Sequence, residues 1–163
     1  MNIQLIKVLE QDKTTLWNLL QFALYDGSFY VDNDITEQGV FEYKWFDTYF
    51  EDDTRFAYFI KQENHIVGFV MINGNLKTSH VGNAQAIAEF LILPQYRKHH
   101  IGKTVAHQIF DMFNGDWEVQ PMENNIGAYQ FWEKVIKEYS NNNCQIQTIE
   151  NEEDIFLFQS KKK

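Results

Sequence analysis

The sequence predicts a mixed α/β fold, a sheet with helices packed on it. Apolar runs of strand length alternate along the chain with longer segments of helical periodicity. The 163 residues are 44% hydrophobic and 16% aromatic, enough to bury a substantial core. No Pro/Gly-rich linker, low-complexity tract or internal repeat interrupts them, so residues 1–163 read as a single domain.

Ile3 to Lys7 opens the chain as a short strand. Asp12 is placed to cap a helix whose apolar face is Leu16, Leu19, Leu20, Ala23 and Leu24. Residues 36–51 read as a second, irregular helical stretch dense in aromatics, including Phe41, Tyr43, Trp45, Phe46, Tyr49 and Phe50. Such density belongs to a core or to a pocket wall. Phe56–Lys61 and Ile66–Ile72 form a hairpin across the polar link Gln62-Glu63-Asn64-His65. Ala86 to Leu93 is a strongly apolar strand stopped by Pro94.

A helix from about Ile101, striped by Val105, Ile109 and Met112, closes at Asn114-Gly115. Trp117–Met122 is the next strand. A last helix from about Asn124 buries Ala128, Phe131, Trp132, Val135 and Ile136. Gln145–Ile149 and Ile155–Phe158 end the chain as strands around the turn at 151–154. The order is β-α-α-β-β-β-α-β-α-β-β.

A formal charge of -9 excludes general nucleic-acid binding, which needs a broad basic face. No segment approaches the ~20 apolar residues that span a bilayer, and the N-terminus lacks a signal-peptide core, so the expectation is a cytoplasmic protein without membrane contact. The lone Cys144 forms no internal disulfide or cysteine metal cluster. His65, His80 and His107 have no metal-site spacing, and no metal is expected. Between Asp26 and Asp53, nine carboxylates face the single Lys44, a local balance of -8. It is either a solvated face or a surface that draws cations.

Against this acidic background, the turn between the strand ending at Pro94 and the helix from Ile101 is basic. It carries Arg97, Lys98, His99, His100 and Lys103. Helix amides left unpaired at that end, together with these cations, make an anion site. The same turn, Arg97-Lys98-His99-His100-Ile101-Gly102, resembles the acyl-CoA loop of the GNAT superfamily of N-acetyltransferases, Arg/Gln-x-x-Gly-x-Gly/Ala. His100 stands at the first glycine position. Glycine there permits positive φ and close approach of backbone to phosphate, and histidine is among the residues that tolerate such a φ. Asn125-x-x-Ala128-x-x-Phe131-Trp132 resembles a second motif of the superfamily, on the helix after the fifth strand.

The resemblance covers essentially the whole chain and implies a mainly antiparallel central sheet with helices on both faces. It implies acetyl-CoA as cosubstrate, no metal, and transfer of the acetyl group to a primary amine of a small molecule or peptide. Pyrophosphate would lie on Arg97, Lys98, His99, His100, Ile101, Gly102, Lys103 and Thr104. Pantetheine would pair with the backbone of Leu91, Ile92 and Leu93, with Asn125 and Trp132 on the cofactor side. Asn125 is equally suited to capping its helix.

The region Asp26–Asp53 corresponds to the acceptor side in the superfamily, which points to a cationic acceptor such as a polyamine, an aminoglycoside-like compound or a lysine. Whether two copies pair is left open. The incoming ammonium must lose a proton before it attacks. Glu89, the one ionisable residue in Ala86–Pro94, is the candidate base, and strand alternation sets it opposite Ala88, Phe90 and Ile92. It also reads as an ordinary solvent-side or paired glutamate.

Many members of the superfamily protonate the leaving thiolate from a tyrosine at the position of Trp132, whose indole N–H gives up no proton. Tyr129, one turn earlier, is the candidate acid, beside water, Tyr96 or no acid at all. The departures at His100 and Trp132 motivate an alternative, a non-catalytic acyl-CoA-binding module. A third reading makes the turn a solvated basic loop.

Overall fold

The structure is a computed structural model that describes residues 2–78, 84–149 and 153–160. His80 and the Lys161–Lys163 tail lie outside the described residues, and the turn at 151–154 lies partly outside them. The elements follow the anticipated order: β1 (Ile3–Lys7), α1 (Lys13–Gly27), α2 (Thr48–Glu51), β2 (Phe56–Gln62), β3 (His65–Asn73), β4 (Ala84–Ile92), α3 (Ile101–Met112), β5 (Asp116–Val119), α4 (Ile126–Ser140), β6 (Cys144–Thr148) and β7 (Asp154–Gln159). The seven strands make one sheet in the order β1-β2-β3-β4-β5-β7-β6. Among the described ladders, only β4–β5 is parallel.

The chain forms two compact units, Met1–Ile72 with Ala88–Arg97, and Asn73–Ile87 with Lys98–Lys163. In the first, β2 and β3 pair through a two-residue link in which Glu63 takes a φ of 54°. Val67 to Ile72 is buried without interruption, as befits a strand covered on both faces. Leu16 and Leu20, one turn apart on α1, pack into a cluster with Phe46, Tyr49, Phe59, Phe69, Met71 and Leu91. Gly68 belongs here because a Cβ at that position would press on the Leu91 carbonyl and lie 3.1 Å from its carbon.

Two local expectations are corrected in this unit. Asp12 stands at the N-cap of α1, but its carboxylate accepts the Leu9 N–H at 3.2 Å instead of a helix amide. The helical stretch expected over 36–51 is reduced to the single turn α2. Gly39 at a φ of 76° turns the chain, and the Gln21 side-chain amide captures both backbone groups of Phe41, accepting its N–H at 2.7 Å and donating to its carbonyl at 3.0 Å. Those groups are thereby withdrawn from a helical ladder. The segment's aromatics serve the core without a helix, with Phe41, Phe46 and Tyr49 buried.

In the second unit, Ile101, Val105 and Ile109 form the buried stripe of α3, while Met112 is exposed. Phe110 is the centre of an aromatic core, with ring centroids 5.0 Å from Trp117, 5.1 Å from Tyr139 and 4.8 Å from Phe158. Buried Glu118 accepts the backbone N–H groups of Lys77 at 2.9 Å and Thr78 at 3.0 Å, which satisfies a carboxylate inside this unit. The parallel ladder between β4 and β5 covers Ala84 to Ala86 and goes no further among the described residues.

Candidate active site

In the first unit, β4 carries Glu89 and runs into a single 3₁₀ turn at Pro94–Tyr96. The strand shows no alternation of burial from Gln85 to Phe90, all of which are half-buried, so the environment of Glu89 does not come from alternation alone. It comes from Tyr43, whose hydroxyl donates a hydrogen bond to the Glu89 carboxyl. Burial pushes that carboxyl up to about 7, and the Tyr43 hydrogen bond opposes the rise. A carboxyl in that range exchanges protons readily near neutrality. Linear reading missed Tyr43, because residues so far apart in sequence are joined only by the fold.

Of the three backbone positions expected to pair with pantetheine, Leu93 is already engaged, since its N–H donates to the Val67 carbonyl at 2.8 Å. The Ile92 carbonyl accepts the Arg97 Nε–H at 2.8 Å. Leu91 and Ile92 are buried. Arg97 also donates from Nη2 to Asp26 Oδ2 at 2.8 Å, with both side chains about half-exposed. The guanidinium is thus fixed at the end of β4 by one backbone and one carboxylate partner.

In the second unit, Lys98 and His100 adopt positive φ values of 67° and 61°. His100 is the N-cap of α3 in the left-handed conformation and offers no side-chain cap. It therefore reproduces the backbone that a glycine would supply. The Thr104 N–H donates to the His100 carbonyl at 3.0 Å and so begins the helical ladder. The preceding amides, Ile101, Gly102 and Lys103, are the end groups that a helix leaves without internal partners. Lys98, His99 and Thr104 are exposed, Gly102 and Lys103 half-buried and Ile101 buried.

Lys103 donates to Glu138 at 2.8 Å and holds that carboxyl below its usual range. Two of the turn's three permanent cations, Arg97 and Lys103, are therefore paired with carboxylates of the protein. Such exposed pairs are held weakly and are screened by solvent and salt.

The other predicted positions behave differently. Asn125 is the N-cap of α4, its Oδ1 accepting the Ala128 N–H at 2.9 Å, so capping is an observed role. Trp132 is 6% exposed and packs on Phe110 and Phe131, which makes it a core residue and not an open contact. The Tyr129 hydroxyl donates to Asp154 at 3.2 Å. Burial first, then Asp154, raises its pKa, so this proton is held more firmly than an ordinary phenol's.

An open recess of about 630 Å³ lies in the first unit, lined by Trp17, Glu42, Tyr43, Lys44, Phe46 and Asp47. Among the described residues, three of the nine carboxylates between Asp26 and Asp53 are in ion pairs: Asp26 with Arg97, Asp47 with Lys13 at 3.0 Å and Asp52 with Arg55 at 3.5 Å. Among the described residues, no group of three or more His, Cys, Asp or Glu is placed to hold a metal ion, and no helix is long and apolar enough to cross a membrane.

Residues 16–136 match the family model described as the acetyltransferase (GNAT) family. No curated protein matches the sequence significantly. Among solved structures, an acetyltransferase from Thermus thermophilus superposes with a TM-score of 0.72 at 11% identity, covering 98% of this chain and 97% of that one. An aminoglycoside acetyltransferase in complex with coenzyme A gives 0.66 at 10% identity, covering 97% and 95%. A spermidine N-acetyltransferase from Vibrio cholerae, in complex with CoA and spermine, gives 0.63 at 8% identity, covering 97% and 95%. At such identities the likeness is one of fold.

Proposed function

Because this chain belongs to the acetyltransferase (GNAT) family, we propose that it transfers the acetyl group of acetyl-CoA to a primary amine of a small molecule, with Glu89 as the base. Glu89 carries this reading: a carboxyl buried enough to titrate near neutrality and hydrogen-bonded by a tyrosine that lines an open recess. The turn from Arg97 to Thr104 receives the pyrophosphate. His100 supplies the backbone shape, the amides at the start of α3 the donors, and Arg97, Lys98 and Lys103 the charge.

The acceptor enters as an ammonium ion and gives one proton to ionised Glu89. Its nitrogen then attacks the thioester carbonyl, forming the C–N bond as an oxyanion develops. Alternation along β4 sends the Ile92 N–H to the strand edge opposite the Leu93 N–H, which makes it the oxyanion donor in this reading. Collapse breaks the C–S bond, and the second proton of the nitrogen passes through water to the thiolate. Water takes that role here because the Tyr129 hydroxyl stays protonated and donates its hydrogen bond to Asp154.

The acidic stretch Asp26–Asp53 and the carboxylate of Glu42 beside aromatic walls favour a cationic acceptor. Two of the structural neighbours, one named for spermidine and one for aminoglycosides, support a polyamine or an aminoglycoside-like compound. The test is release of free thiol from acetyl-CoA in a panel of monoamines, diamines, polyamines, aminoglycosides and lysine peptides, with product masses recorded. An acetylated amine formed in step with thiol supports the reading. Tight coenzyme A binding with no acylated product across the panel contradicts it in favour of a binding module.

A further inference from the structure

Tyr43 lies in the irregular stretch ahead of α2, where no motif marks it. Its hydroxyl is hydrogen-bonded to the Glu89 carboxyl and to the Tyr49 hydroxyl. Tyr43 lines the recess together with Trp17 and Phe46, whose rings meet edge to face at 4.9 Å. The charged groups around the recess are sorted by their partners. Asp47 is paired with Lys13 at 3.0 Å, and the Lys44 ammonium sits over the Trp45 ring at 4.7 Å. Glu42 is exposed and forms no ion pair among the described residues.

We propose that Tyr43 is a positioning residue that couples the recess to the base: its hydroxyl orients the Glu89 carboxyl, while its ring, with Trp17 and Phe46, seats the hydrocarbon body of a diamine whose distal ammonium meets Glu42. The proposal rests on Glu89 being the base. A tyrosine has one O–H with which to donate a hydrogen bond; that of Tyr43 is hydrogen-bonded to Glu89, with Tyr49 in the same chain. Burial, followed by the charge of Glu89, lifts the Tyr43 hydroxyl far above the ordinary phenol range, so it stays a donor throughout the working pH range. The groups that bear on the titration of Glu89 are Tyr43 directly and Tyr49 behind it.

Tyr43→Phe keeps the ring and removes the donor. Its Glu89 side-chain carboxyl, followed by ¹³C NMR, should titrate about half to one pH unit higher than in the unsubstituted protein, because a bond that favours the ionised form is gone. The rising limb of kcat/KM against pH should move by the same amount, lowering kcat/KM about three- to tenfold near pH 6, while coenzyme A affinity stays unchanged. A merely structural tyrosine would move neither. Trp17→Leu should leave the titration in place and raise KM for diamines more than for monoamines.

An unmoved Glu89 titration in Tyr43→Phe, or an equal rise in both KM values in Trp17→Leu, overturns the proposal. Glu89→Gln separates this from failure of the underlying reading. Normal turnover in Glu89→Gln removes the base and the proposal together, whereas an inactive Glu89→Gln beside an unmoved Tyr43→Phe profile removes the proposal alone.

Discussion

Replacing Glu89 by glutamine should stabilise the protein at alkaline pH while stopping turnover. The folded carboxyl sits at about 7 against an ordinary 4.5, so the folded state holds this proton more tightly than the unfolded chain does. Stability from this group is complete at acid pH, falls as pH rises from about 4.5 to about 7, and is level beyond. A factor of ten in proton affinity corresponds to about 1.4 kcal/mol, which sets an upper bound of roughly 3.5 kcal/mol on the loss. Glu89 is half-buried, and residual contact with water reduces that bound to roughly 1–2 kcal/mol.

Glutamine keeps an acceptor for the Tyr43 hydroxyl and carries no charge. Urea denaturation at about pH 5 and about pH 8 should therefore show a stability advantage for Glu89→Gln that is small at the lower pH and roughly 1–2 kcal/mol at the higher. For a chain of this size that corresponds to a rise of about 2–8 °C in Tm at the higher pH. An advantage independent of pH, or a variant less stable at the higher pH, would refute the assignment of a proton-holding carboxyl to Glu89.

Gly68→Ala forces a Cβ against the Leu91 carbonyl, with Leu91 C and Ile92 Cα at 3.1 and 3.2 Å. Backbone cannot yield as a side chain does, so thermal denaturation should show a loss of about 3 kcal/mol, and an unchanged Tm would contradict the close approach. Asn125→Ala should cost about 1 kcal/mol in the same assay through loss of the cap to Ala128, and Asn125→Asp should restore it. His100→Gly should be tolerated within about 0.5 kcal/mol, because the left-handed backbone is kept and relief of strain offsets the freer unfolded chain. His100→Val should lose about 1–2 kcal/mol. Asp26→Asn frees Arg97 and should tighten coenzyme A binding by up to about fivefold in calorimetry with little change in stability; equal affinity would remove Arg97 from the phosphate site.

Element order, the β2–β3 hairpin and the α3 stripe were legible because each is written in local periodicity. The left-handed backbone at His100 was anticipated through the resemblance alone, because His100 stands at a glycine position of the family's loop. Local patterns could not show that Gln21 captures the backbone of Phe41 and undoes the second helix, nor that Tyr43 reaches Glu89. The pairs Arg97–Asp26 and Lys103–Glu138, which temper the charge of the turn, join segments distant in sequence. Asn125 offered two roles to the reader of the sequence, and the structure displays the cap. The hydrogen bond from Tyr129 to Asp154 on β7 was likewise not readable from local pattern.

The most direct test is an amide chemical-shift titration of the intact protein with coenzyme A. The largest saturable shifts should fall on Lys98 to Thr104, with the Arg97 side chain moving in parallel. Saturable binding that leaves these amides in place and shifts others would contradict it.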